Sequence, residues 1–111
     1  MQTGAMTSSP AAASPSVPQL GRVGVWRSAS FLTPETAAGI ERLGYGTVWI
    51  GGSPDATLEL AEQVLDATER VTVATGIVNI WKAPATEVAA SFHRLAEQHP
   101  NRLMLGIGIG H

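Results

Sequence analysis

Strand-like and helix-like segments alternate along this chain, and the alternation limits the folds that it can adopt. Four short apolar segments rich in β-branched residues predict strands; they are Gly21–Trp26, Thr47–Ile50, Val71 to about Asn79, and Leu103 to about Gly110. Segments with apolar residues at helical spacing separate them. Such an order predicts βαβ units, whose crossovers are right-handed and whose sheet is parallel.

Two α/β architectures share this alternation, a doubly wound open sheet and a (β/α)8 TIM-type barrel. A complete barrel takes about 250 residues, whereas this chain has 111, so its four strands and three helices would form half of one. In both architectures the functional groups collect at the carboxyl ends of the strands. Those ends are predicted at Trp26–Ser30, Gly51–Ser53, Gly76–Trp81 and His111.

The predicted helices carry start and stop signals. Thr33 offers a capping hydroxyl, Pro34 suits the first helical position, and Gly44 predicts an end after Leu43. The second helix is predicted from the spacing of Leu58, Leu60, Ala61, Val64 and Leu65. A third helix opens at Pro84 and ends before Pro100, with Val88, Phe92 and Leu95 on one apolar stripe beside Ala89 and Ala96.

Composition excludes several classes of partner. The formal net charge of −2 and the scattered seven Lys and Arg provide no basic stripe for nucleic acid or an anionic membrane. The absence of cysteine rules out disulfides and thiolate metal sites, which fits a cytoplasmic location, and we predict no metal site. Residues 1–19, rich in Ala, Ser and Pro, are predicted to be a disordered tail without a secretory signal, followed by one domain over residues 20–111.

The last nine residues, Leu103–His111, place glycine at alternate positions of an apolar strand. A regular strand would turn Gly106, Gly108 and Gly110 to one face, which is then almost bare backbone. Such a face indicates the close approach of a helix, another backbone or a ligand. Tight packing of a helix on the sheet is the interpretation that we favour over direct ligand contact.

Four blocks of sequence carry a family resemblance; they are Gly21–Trp26, Leu43–Gly51, Val73–Trp81 and Pro100–Gly108. From Leu20 onward the chain resembles the amino-terminal half of the luciferase-like monooxygenase superfamily, specifically its deazaflavin-dependent oxidoreductases. The resemblance implies a (β/α)8 barrel that binds 8-hydroxy-5-deazaflavin (coenzyme F420), or FMN as the alternative, at the carboxyl ends of the strands.

The resemblance also implies site residues. A non-prolyl cis peptide would join Gly76 and Ile77 behind the cofactor ring, where residue chemistry alone indicates an ordinary bulge or packing glycine. Gly51 is a further cofactor-binding candidate. Residue chemistry adds Asn79, whose amide needs partners in an apolar strand and could hold a ring edge of the cofactor, although such a residue more often caps a local turn. Many relatives have an acid and a histidine after strand two and a glutamate after strand four. This chain has Gly52, Ser53 and His111 there, so His111 is the catalytic candidate as acid or base, unless it is a frayed exposed residue.

The function that these features predict is hydride transfer between the deazaflavin and a small organic substrate. A non-catalytic fragment that acts by associating with a partner chain is one alternative, and an FMN-dependent luciferase-like monooxygenase is another. We expect a homodimer or association through open barrel edges. Several apolar strand residues would then meet water in the isolated chain; the candidates are Val48, Ile50, Val73, Ile77, Leu105 and Ile107.

Overall fold

The computed structural model describes residues 17–110. Its strands are β1 (Gly24–Ser28), β2 (Thr47–Gly51), β3 (Thr72–Gly76), β4 (Val78–Asn79), β5 (Leu103–Met104) and β6 (Ile107–Gly108). Its α-helices are α1 (Pro34–Arg42), α2 (Glu59–Ala67) and α3 (Ala85–Gln98), and a short 3-10 helix covers Ala29–Phe31. The predicted alternation of strand and helix is therefore confirmed over this part of the chain.

The strands form a parallel sheet, as predicted. Four of them pair in the order β1-β2-β3-β5, and β4 pairs with β6 in a separate parallel two-stranded sheet. From β1 to β5 the larger sheet keeps the order of the chain and leaves out only β4, which belongs to the second sheet. This order is the pattern of successive βαβ units. The register sets Ser28 of β1 beside Gly51 of β2, and Gly51 beside Gly76 of β3. The carboxyl ends of these three strands therefore lie level with one another.

Three predicted strand bounds were wrong. The first strand begins at Gly24 rather than Gly21, because Gly21 takes the left-handed conformation with φ of +76° and leaves the extended path. The third strand is divided into β3 and β4 at the Gly76–Ile77 peptide. The fourth is divided into β5 and β6 around Gly106, where the backbone bonds with the Thr75 side chain instead of continuing the ladder.

Helix α1 begins and ends close to the predicted positions. The Thr33 hydroxyl accepts a hydrogen bond from the Thr36 N–H at 3.1 Å, and Pro34 is the first helical residue. After Arg42, Gly44 takes a φ of +96°, which is the left-handed conformation that commonly ends a helix. Helix α2 lacks a side-chain cap and starts after Leu58, whose φ is +53°. Helix α3 follows Pro84.

All three helices pack against the same face of the sheet. Its strand residues, Val48, Ile50, Val73 and Leu103, are buried among helix residues that include Ile40, Val64, Leu65, Val88 and Leu95. On the alternate positions of β1 and β2, Trp26 is 59% exposed and Trp49 is half-buried. A doubly wound sheet would have helices on both faces, so the one-sided packing favours the barrel architecture.

The burial of this face corrects one expectation. Val48, Ile50 and Val73 are fully buried, because they point toward the helices rather than into the open side of the sheet. Among the other apolar strand residues that we expected to meet water, Ile107 is exposed and Ile77 and Leu105 are half-buried. Of these six residues, those left partly or fully uncovered therefore lie after β3 and in the last strand segments, and not at the centre of the sheet.

The amino ends of β2 and β3 are covered by residues 17–21. The Thr47 hydroxyl donates a 2.5 Å hydrogen bond to the Leu20 carbonyl, and the Thr72 hydroxyl donates one of 2.6 Å to the Gln19 carbonyl. Our predicted domain boundary at residue 20 falls inside this segment. The predicted tail is otherwise made of residues 1–16, which lie outside the described residues, and its disorder stays a prediction.

Candidate functional site

An open cleft lies at the carboxyl ends of the strands, where the alternation predicted functional groups. Its volume is about 360 Å³, and it is lined by Trp26, Gly52, Ser53, Gly76, Ile77, Asn79, Lys82 and Gly110. Sites for small molecules and cofactors have volumes of roughly 300–1,000 Å³. The cleft therefore has the size of a small ligand site or of one part of a larger one, and it brings together three of the predicted binding residues, Gly76, Ile77 and Asn79.

Gly51, the fourth predicted cofactor-binding residue, lies under the cleft rather than on its surface. It is buried, and a Cβ built on it would overlap the six-membered ring of Trp26. Only a residue without a side chain leaves room for the indole at this point. Gly51 therefore leaves the space that the Trp26 indole occupies beside the cleft, and the direct contact of Gly51 with a cofactor stays a prediction.

Gly76 and Ile77 form the wall next to the end of β3. The peptide bond between them is cis, which confirms the predicted backbone irregularity. A Cβ built on Gly76 would stand 3.6 Å from the Trp26 Nε1 and 3.8 Å from Cε3 of Trp49, so a methyl group would fit there in ordinary contact. Larger side chains would extend further and compete with a ligand for the same space.

Asn79 performs one of its two predicted roles, the capping of a local turn, through hydrogen bonds within the chain. Its side-chain Oδ1 accepts a hydrogen bond from the Trp81 N–H at 2.8 Å, and its main-chain carbonyl accepts from the N–H groups of Lys82 and Ala83, each at 3.1 Å. These bonds close the turn that leads from β4 toward α3, so the turn-capping alternative is confirmed. The NH2 group of the amide takes no part in these bonds, and its contact with a cofactor stays a prediction.

The glycine face of the last strands is approached by the preceding strand segment and not by a helix. A Cβ built on Gly106 would collide with the Thr75 carbonyl oxygen, and one built on Gly108 would lie 3.1 Å from the Ile77 Cδ1. A Cβ on Gly110 would lie 2.6 Å from the Asn79 Nδ2. The favoured interpretation of helix-on-sheet packing was therefore wrong, because the three glycines contact the neighbouring strand segment, residues 75–79, and not a helix.

The family comparison agrees with this geometry. The family model described as luciferase-like monooxygenase matches residues 5–111. The chain belongs to the luciferase-like monooxygenase family. No curated protein matches the sequence significantly. The one-sided parallel sheet of this luciferase-like chain is part of the (β/α) barrel that we predicted, and the family match makes it a member of an oxidoreductase family whose proteins use flavin or deazaflavin cofactors.

The sequence prediction missed some of the residues that line the cleft of the luciferase-like chain. Ser53 and Gly52 appeared only as departures from the family pattern, and Lys82 was not singled out. Lys82 is the only lysine of the sequence. It comes directly after Gly76–Trp81, the predicted carboxyl end of the third strand, and this position could have identified it as a cleft residue. His111, the predicted catalytic residue, lies outside the described residues, next in sequence to the cleft residue Gly110.

A second polar cluster of the luciferase-like chain lies at the opposite end of the strands. The Glu41 carboxylate accepts hydrogen bonds from the N–H groups of Glu69, Arg70 and Val71, the shortest of them 2.6 Å from the Arg70 nitrogen. Burial by itself raises the pKa of Glu41, but these hydrogen bonds and the charge of Arg70 more than offset it, so the net pKa is lowered. This cluster ties α1 to the start of β3.

Arg102 joins the same end of the sheet to α2. Its guanidinium donates to the carbonyls of Val71 and Thr68 and to the Thr68 hydroxyl, at 2.9, 3.2 and 2.6 Å. Burial lowers the pKa of Arg102, and the nearby charges of Glu41 and Glu69 oppose that shift. The partners of Glu41 and Arg102 are backbone groups and the Thr68 hydroxyl, and they lie away from the cleft, so both residues stabilise the fold rather than perform chemistry.

The remaining histidines do not form a ligand set. His99 Nε2 lies 3.0 Å from an Asp66 oxygen, while His93 is exposed on α3 with its ring edge-on to Phe92. Within residues 17–110, no group of three or more His, Asp or Glu side chains could hold a metal ion. No helix of that range is long and apolar enough to cross a membrane.

Proposed function

We propose that the cleft binds the ring of a deazaflavin or flavin cofactor, and that the family fold uses it for hydride transfer to or from a small organic substrate. The observation that carries the proposal is the Asn79 amide. Asn79 lines the cleft, yet it is only 8% exposed, and its Nδ2 donates no hydrogen bond to any atom of residues 17–110. A buried donor without a partner costs about 1–3 kcal/mol, so a ligand oxygen or nitrogen that accepts from it would gain that amount.

The cleft residues fit such a ring in shape as well as in hydrogen bonding. Gly76 adds no side chain to the wall, and Ile77 and Trp26 add apolar surface to the same cleft. A flat conjugated ring that carries carbonyl groups at one edge can lie against Gly76 and Ile77 while that edge meets Asn79. Gly51 contributes indirectly, because it leaves room for the Trp26 indole.

The bound cofactor would supply the hydride chemistry, and the chain would supply position and exclusion of water. Gly76, Ile77 and Asn79 would bind and orient the ring. His111, which follows the cleft residue Gly110, is the proposed acid or base, because an imidazole changes its charge near neutral pH. We propose coenzyme F420 as the cofactor on the resemblance of the four sequence blocks, with FMN as the alternative.

The test is a fluorescence titration of the purified chain with coenzyme F420 and with FMN. Saturable binding of F420 that is tighter than that of FMN is the expected result, and the reverse order would favour the FMN alternative. Gly76→Val should weaken binding by about tenfold or more, since a 1.4 kcal/mol loss from a displaced ring corresponds to that factor. Gly39→Val on α1, where the space around the Cβ is open apart from Arg42, is the matched control. Binding of neither cofactor would refute the proposal.

A second candidate function, association with a partner chain, is favoured by the exposed apolar side chains near the cleft. Trp81, Ile107 and Ile109 are each more than half exposed, and β1 and β5 each have one paired edge within the described residues. Unpaired strand edges with apolar neighbours are templates for pairing with another chain.

A further inference from the structure

The charged side chain on the wall of the cleft is a cation, Lys82. Lys82 is the single ionisable side chain among the lining residues that the structure describes, and the others are glycines, Trp26, Ile77 and the neutral polar residues Ser53 and Asn79. Two acidic residues, Asp55 and Glu59, line a neighbouring cavity that shares only Ser53 with this cleft. In a chain with a net charge of −2, a cleft whose lining carries one positive charge indicates an anionic ligand group.

The orientation of the Asn79 amide is fixed by the protein. The Trp81 N–H is a donor, so the atom that faces it at 2.8 Å must be the carbonyl oxygen of the amide. The NH2 group consequently faces the other way, beside Gly110, where a built Cβ would lie 2.6 Å from it. Gly110 also lines the cleft, so the unpartnered donor belongs to the cleft wall.

One turn holds both groups. The N–H groups of Lys82 and Ala83 bond to the Asn79 carbonyl at 3.1 Å, which fixes the backbone from which the Lys82 side chain starts relative to the Asn79 amide. An amide N–H and an ammonium are both donors, and neither can accept a hydrogen bond. Neither donor is bonded to an acceptor within residues 17–110, and such a pair suits a group with several acceptor oxygens and a negative charge.

We propose that Asn79 and Lys82 form a subsite for an anionic oxygen group, a phosphate or a carboxylate, of the ligand that the cleft takes. This inference rests on the proposed function only in placing that ligand in the cleft. The anion has two sources, the charged tail of the cofactor or a charged group of the substrate. In either case Lys82 sets the preference for negative charge. The Asn79 NH2 group carries two hydrogens, of which one meets the ring edge and the other sets the position of one oxygen of the anion.

Two substitutions separate the donors from the fold. Asn79→Asp keeps an oxygen for the Trp81 N–H and replaces the amide donor with a negative acceptor. Lys82→Met removes the charge at similar length and leaves the backbone bonds of the turn intact, so it tests the subsite even if Asn79→Asp does not fold. The matched controls are Asn101→Asp in the exposed turn before β5 and Arg42→Gln at the end of α1, both outside the cleft lining.

The measurement compares ligand pairs that share a ring and differ in a phosphate-bearing tail, namely FMN with riboflavin and F420 with its phosphate-free chromophore. If the cofactor tail occupies the subsite, both cleft variants should lose about tenfold in the affinity ratio of charged to uncharged ligand, the value of one charge-assisted hydrogen bond. The controls should keep the ratio within about twofold. Salt near 0.5 M should erase most of the Lys82 effect, because exposed charges are screened.

Inorganic phosphate, followed by 31P line broadening, completes the test. If the anion comes from the substrate, the affinity ratio is unchanged, but the riboflavin-loaded chain binds phosphate and the two cleft variants bind it about tenfold more weakly. If no cofactor binds, the proposed function fails, and phosphate binding to the unloaded chain still decides the subsite. The proposal is overturned if neither the ratio nor phosphate binding depends on Asn79 and Lys82.

Discussion

Replacing Thr75 with valine tests how the divided last strand is held to the sheet. Thr75 is fully buried in β3. Its hydroxyl accepts a hydrogen bond from the Gly106 N–H at 2.8 Å and donates one to the Gly106 carbonyl at 2.9 Å. Valine has nearly the same shape without the hydroxyl, so Thr75→Val removes both bonds and opens no cavity.

The expected cost follows from what each Gly106 group has left. The Gly106 carbonyl still accepts the Val78 N–H at 2.8 Å, so it stays satisfied. The Gly106 N–H has no other acceptor within residues 17–110. A buried unsatisfied donor costs about 1–3 kcal/mol, and because Gly106 is half-buried its N–H should cost an amount in the lower part of that range. The added methyl group returns up to about 0.8 kcal/mol of apolar burial. We therefore expect the free energy of unfolding to fall by roughly 1–2 kcal/mol, a large part of the stability of a small domain.

The assay is urea unfolding followed by circular dichroism and tryptophan fluorescence at one protein concentration. With a slope of about 1–3 kcal/mol per molar urea, the midpoint should fall by about 1 M. Thr86→Val, at an exposed position in the first turn of α3, should stay within about 0.5 kcal/mol of the wild type. If Thr75→Val is equally close to the wild type, the reasoning that Thr75 anchors the Gly106 segment is wrong.

Three further predictions concern acid stability, the amino terminus and association. Because the folded-state pKa of Glu41 is lowered from its ordinary value of 4.5, its stabilising effect is complete above that pH and is lost as the pH falls through the lower folded value. Urea unfolding at a series of pH values should therefore show that Glu41→Gln lowers the free energy of unfolding near neutral pH, and that this free energy declines less steeply in acid than that of the wild type. Glu97→Gln should leave both unchanged. Parallel curves for Glu41→Gln and the wild type would contradict this. Limited proteolysis should remove most of residues 1–19 and leave the rest intact. Protection from cleavage should begin at Gln19, whose carbonyl accepts a hydrogen bond from the Thr72 hydroxyl. Protection of the whole segment would contradict the predicted tail. Sedimentation of the purified chain should show self-association that Ile107→Lys weakens, because Ile107 is exposed near the open end of the sheet; a monomer at all concentrations would contradict it.

The sequence alone determined the order of the elements and several of their ends. Thr33, Pro34 and Gly44 act through bonds and dihedral angles of their own neighbourhood, so a local pattern is enough to predict helix α1. The alternation of strands and helices similarly determined a parallel sheet, because βαβ crossovers leave few other arrangements. The blocks of family resemblance also located the irregular peptide at Gly76–Ile77, which periodicity alone did not.

Only the tertiary structure decided which face of each strand is covered and what the glycines contact. Alternation along β2 separates Ile50 from Trp49 but does not say which of them meets the helices, because that depends on where the helices pack. The Gly106 position depends on Thr75, and the two residues are far apart in sequence and meet only in the sheet. Asn79 and Lys82 are close in sequence, yet the part of the amide left for a ligand is set by the Trp81 N–H. Contacts between distant segments and the satisfaction of individual hydrogen-bonding atoms are properties of three-dimensional packing, and no local pattern encodes them.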